Sequence, residues 1–178
     1  MNTSLKITQN YQGLIDKLTA MNKMLNEKSY QPYMRYFYKN NDKITASDGK
    51  QLARLDHDIL NDLENGFYSF IKKSTKEYFL VKEDLDCNYP DIQSFIDMSY
   101  EYQKTKITID SKDSTTFAYR ICNLILETNC VFNFELVKNI KDLSPEWTVY
   151  YKDNRQHLMF ETPDKLFQYL IMPLRAQE

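Results

Sequence analysis

The chain has 178 residues, 42% of them hydrophobic and 27% charged, which is enough apolar material for a sizeable core and rules out global disorder. Its 23 basic and 25 acidic residues leave a net charge of -2, which marks it neither as a nucleic-acid binder nor as an acidic mimic of DNA. It has three glycines (Gly13, Gly49, Gly66), too far apart to cradle a phosphate, so the dinucleotide fingerprint and the P-loop are excluded.

The first residues, MNTSLKITQNYQGLIDKL, lack the apolar run of a secretory signal, and no later stretch approaches a membrane span. Cys87, Cys122 and Cys130 are odd in number and have no CxxC spacing, which points to reduced thiols and a cytoplasmic protein. Tyr11, Leu14, Ile15, Leu18, Met21 and Leu25 recur at helical steps, predicting an amphipathic helix over 10–28. Tyr30, Tyr33, Met34 and Phe37 repeat the same period behind Ser29 and Pro32, predicting a second helix with those four residues on its core side.

NNDKITASDGK reads as a connector. A long helix is expected from about Ser47, carried by Leu52, Leu55, Ile59 and Leu63 and ended or kinked by Gly66. Residues 76–84 and 106–110 have the composition and alternation of strands, with a helix after Pro90 between them. Phe117, Ile121, Leu124 and Ile125 predict a buried helix, and VFNFELV a strand. Residues 147–161 read as a hairpin turning at Asp153-Asn154-Arg155, followed by a terminal helix that starts at Thr162-Pro163-Asp164.

The expected architecture is one α+β domain over residues 1–178. It has about five helices, a helix-rich N-terminal half, and a small, mainly antiparallel sheet towards the C-terminus. Phe37, Leu55, Ile121 and Phe167 are its expected core residues.

Few residues suit catalysis. His57 lies beside Asp58 and Asp62, which are too few ligands for a hard cation and suit a solvated helix face. His157 falls out of phase with Leu158, on the solvent side of its strand. Cys122 sits among Ile121 and Leu124, where a thiol behaves as a small hydrophobe. GxSxG and HExxH are absent. The reading is a protein that is not an enzyme and carries no cofactor or metal.

Two surface groups remain. On a helical wheel Arg35, Tyr36, Tyr38 and Lys39 lie off the core stripe, the composition of a protein-binding patch. Lys72, Lys73 and Lys76, with Lys104 and Lys106, are the candidate contacts to a phosphate backbone. The sequence thus favours a small cytoplasmic inhibitor or modulator of another protein, of immunity or anti-defence type. A nucleic-acid-associated accessory protein is the alternative.

Overall fold

The computed structural model describes residues 3–108, 119, 121–124, 126, 131–153 and 155–174. They fall into two compact units, Met1–Pro90 and Asp91–Glu178. In the first unit, β1 (Ser4–Thr8) leads through a 3-10 turn into α1 (Gln12–Asn22). Then come β2 (Phe37–Asn40), β3 (Lys43–Ser47), β4 (Gln51–Asp56), β5 (Gly66–Lys72) and β6 (Glu77–Glu83). These strands are ordered β1-β6-β5-β2-β3-β4, and every pairing is antiparallel. Residues directly opposite one another share a face, so Phe37, Tyr68, Ile44, Leu55 and Leu80 belong to one buried face. Leu14, Ile15, Leu18 and Met21 are the buried stripe of α1, which lies against β3.

The second unit holds α2 (Gln93–Ser99), β7 (Gln103–Thr108), α3 (Phe134–Lys138), β8 (Glu146–Tyr151), β9 (Leu158–Glu161) and β10 (Phe167–Ile171). Residues 121–124 are helical as well. Its strands run in the order β10-β9-β8-β7, again antiparallel throughout. One face carries Ile107, Trp147, Val149, Phe160 and Tyr169, all buried. Trp147 meets Phe160 and Phe167 edge-on at 6.3 and 6.1 Å, and the Tyr169 hydroxyl donates to the Leu136 carbonyl of α3 at 2.8 Å. The opposite face carries Lys104, Lys106, Thr148, Tyr150 and Glu161.

Among the described residues ten strands stand where a small sheet beside about five helices was expected from the sequence, and six of the ten lie in the half expected to be helix-rich. The helical spacing of Tyr30, Tyr33, Met34 and Phe37 misleads because the chain uses it only for a 3-10 turn, Pro32–Met34, before extending into β2. Tyr30 is then almost wholly exposed, although Phe37 is buried. The supposed connector is a pair of hairpins. Asn40 pairs with Lys43 across a two-residue loop in which Asn41 takes φ 55, the left-handed conformation such a turn demands.

The next turn is closed by the Asp48 carboxylate, which accepts from the amides of Lys50 (2.8 Å) and Gln51 (2.9 Å), and by Gly49 at φ 85. The supposed long helix is β4, a 3-10 turn capped by His57, and β5. The second half of VFNFELV, from Phe134, forms α3 rather than a strand, and Asn133 caps it by accepting from the Glu135 amide at 3.0 Å. The supposed terminal helix is β10, preceded by a turn in which the Thr162 hydroxyl oxygen accepts from the Phe167 amide at 3.1 Å.

Other expectations are met. Residues 10–28 contain α1, 76–84 contain β6, and 147–161 form the β8–β9 hairpin. Phe37, Leu55, Ile121 and Phe167 are all buried. Phe117, Ile125, Cys130 and Asn154 lie outside the described residues.

Candidate functional site

The first candidate patch does not survive as one surface. Arg35 follows the 3-10 turn, exposed, with its Nε donating to the Ser29 carbonyl at 2.8 Å. Alternation along β2 then sends Tyr38 to one face and Lys39, with Phe37, to the other. Lys39 is only 1% exposed, and burial lowers its pKa, partly offset by Asp42. Tyr36 is half-buried. The Tyr38 ring stacks on Tyr89 at 4.5 Å and 4° and tilts against Phe67 at 5.1 Å, while Tyr33 meets Tyr89 edge-on at 5.7 Å. These rings are engaged in packing within their own unit.

The lysines divide differently. Lys72, Lys73 and Lys76 are exposed at the β5–β6 hairpin, where Lys72 lies 5.8 Å from the Tyr78 ring and Lys73 5.7 Å from the Phe79 ring. Lys6 and Glu77 pair close by. That hairpin is a dispersed, partly neutralised surface.

Lys104 and Lys106 are different, because β7 places both on one face and a groove of about 350 Å3 opens there. Lys165 from the β9–β10 turn is its third cation among the described residues, and Thr148 and Thr162 also line it. Neither Lys165 nor the two threonines announced itself in the sequence. Strand register is what assembles them: Lys106, Thr148 and Glu161 stand opposite one another across β7, β8 and β9.

Glu161 lies in the same groove and is 2% exposed. Its carboxylate accepts from the Tyr100 hydroxyl (2.6 Å), the Tyr150 hydroxyl (2.9 Å) and Gln168 Nε2 (2.9 Å). Burial and the neighbouring carboxylate push the Tyr150 phenol up to about 12, so it stays a donor. Three donors on one carboxylate hold it in a fixed position beside the lysines.

His157, expected on the solvent side, is buried. Its Nε2 lies 2.6 Å from the Ser99 hydroxyl oxygen. The Ser99 hydroxyl oxygen also lies 2.9 Å from the Phe95 carbonyl oxygen, so Ser99 links α2 to the chain entering β9. Among the described residues no three of His, Cys, Asp and Glu converge to hold a metal.

No protein-family model matches the chain, and no curated protein matches it by sequence. Solved structures do. The sliding clamp of Bacillus subtilis DNA polymerase superposes with a TM-score of 0.61 at 14% identity, over 98% of this chain and 64% of that one. A Helicobacter pylori beta clamp bound to a DNA ligase peptide gives 0.61 at 11% identity, over 97% and 66%. The Pseudomonas aeruginosa polymerase sliding clamp gives 0.59 at 11%, over 98% and 67%. The chain has the fold of the bacterial sliding clamps. It spans about two thirds of the length of these clamps. Nearly its whole length takes part in the sliding-clamp likeness, so both units contribute to it. No described helix is long and apolar enough to cross a membrane.

Proposed function

We propose that this chain is a non-catalytic accessory protein of DNA replication or repair, cytoplasmic, which binds other proteins in association with DNA. The observation that carries the proposal is the sliding-clamp fold over 97–99% of the chain in clamps from several bacteria. One of those clamps is bound to a DNA ligase peptide, which supports a role in holding an enzyme through a short segment. The nucleic-acid-associated reading of the sequence gains from this. The inhibitor reading keeps only what the two share, binding to another protein. The near-neutral charge of -2 fits a protein whose affinity comes from specific partners more than from a general attraction to phosphate.

The test is fluorescence anisotropy with peptides tiled from the DNA polymerase and DNA ligase of its own organism, and separately with duplex DNA. At least one peptide should bind at about micromolar Kd or tighter, the range in which a small anchored interface operates. Duplex binding should weaken steeply between about 50 and 200 mM salt as counterion release is lost. Absence of both peptide and duplex binding would overturn the reading.

A further inference from the structure

The strand order of the second unit ends at β7, which pairs with β8 alone. The outward-pointing backbone amides and carbonyls of β7 have no partner among the described residues, and such a row is a template for another strand. Its side chains make the template selective. Lys104 and Lys106 are exposed on one face, and the salt bridge of Lys106 with Glu146 at 3.0 Å leaves the lysine side chain 73% exposed. Lys104 and Lys165 have no ion-pair partner among the described residues. Glu161, at the far end of the row Lys106–Thr148–Glu161, is bonded to three neutral donors and makes no ion pair with these lysines among the described residues.

We propose that the free edge of β7 takes an extended acidic segment of a partner protein, with alternate carboxylates opposite Lys104 and Lys106. Residues two apart on a strand stand about 6.6–6.8 Å apart on the same face, so any added strand presents its own alternate residues at that repeat. Opposite charges directly across a pair of strands attract, and like charges repel. A second β7 would set lysine against lysine, which is the usual way lysine blunts an edge. An acidic strand removes that obstacle. It also extends the row Lys106–Thr148–Glu161 by one carboxylate, giving alternating charge across the groove.

The intervening residues of the incoming segment fall beside Thr105 and Ile107, favouring β-branched side chains there. A nucleic-acid strand fits the site less well. Among the described residues the one aromatic side chain lining the groove, Tyr150, is 6% exposed with its hydroxyl committed to Glu161, so it offers no open ring face for a base.

This site does not depend on the clamp-like reading, and its test uses different ligands. A fluorescein-labelled peptide alternating Glu or Asp with Val or Ile is titrated by anisotropy against the full chain. It is compared with a peptide of the same composition whose acids are contiguous, and with a single-stranded oligonucleotide. Two further peptides are N-methylated at one or the other set of alternate residues. The alternating peptide should bind at least about tenfold tighter than the contiguous one, since only it places its charges in register. One N-methylated phase should lose binding and the other keep it. Lys104→Glu with Lys106→Glu should weaken binding by at least about tenfold while the melting temperature holds.

Equal binding of the two compositions, or of both N-methylated phases, would overturn strand addition in favour of bare charge attraction. Oligonucleotide binding as tight as peptide binding would reassign the groove to phosphate. A dimer in sedimentation that the double lysine variant abolishes would give the edge to a second copy. No peptide binding at all would also overturn the proposal.

Discussion

Burial at His157 disfavours the imidazolium, and its hydrogen bond to the Phe95 carbonyl offsets that only in part, so its pKa lies below the ordinary histidine value. In the unfolded chain the group titrates near about 6.5. Between the depressed folded value and that point the unfolded state binds more protons, so stability rises with pH through the window. The stabilisation is complete above about 6.5 and is lost as pH falls through the folded pKa. Urea unfolding at pH 5, 6 and 7 should show this slope, and His157→Gln should flatten it. An unchanged slope in the variant would assign it to other groups.

The Glu161 anchor gives a second expectation at this scale. Tyr150→Phe deletes one of three donors to a buried carboxylate at almost constant volume. It should cost about 1–3 kcal/mol in thermal or urea unfolding, the usual penalty for an unsatisfied buried polar group.

At the scale of single elements, the cap of α3 is worth testing because it decides between two structures for one segment. VFNFELV has the apolar and aromatic content of a strand, and the bond from Asn133 Oδ1 to the Glu135 amide secures a helix instead. Asn133→Ala should therefore lower stability by about 0.5–2 kcal/mol, measured by urea unfolding. Asn133→Asp, which keeps an acceptor, should be nearly neutral.

The elements also explain what the sequence made legible. α1 was readable from its helical period, β6 from its run of aromatic and aliphatic residues, and the β8–β9 hairpin because two apolar runs flank a polar turn. β10 was not, since Thr162-Pro163-Asp164 reads as a helix start and Phe167–Ile171, buried at all five positions, has no period to contradict it. β4 was lost because Leu52, Leu55, Ile59 and Leu63 fit a helical stripe that the chain divides between a strand and a 3-10 turn. At the candidate site Lys104 and Lys106 were visible as neighbours. Lys165, Thr148 and Glu161 reach them only through cross-strand register, which no local pattern encodes.

For the molecule as a whole, the long-range pairing of the first unit matters most. β1, the first strand of the chain, finds its partner in β6, with Ser4 opposite Val81 and Thr8 opposite Glu77. The strand order of that unit is therefore completed only after nearly all of its sequence has been made, a non-local closure that folds slowly. Until β1 docks, β6 is an edge rich in apolar residues, with Phe79, Leu80 and Val81 in succession, and such an edge invites intermolecular pairing. Deleting residues 1–8 should make that transient state permanent. The truncated protein should bind a hydrophobic dye and aggregate at micromolar concentration, while the full chain remains monodisperse in light scattering. Adding the peptide TSLKIT in excess should suppress the aggregation by restoring the missing strand. A truncated chain that stays monodisperse, with an unchanged unfolding midpoint, would show that the β1–β6 ladder contributes little to holding the first unit together.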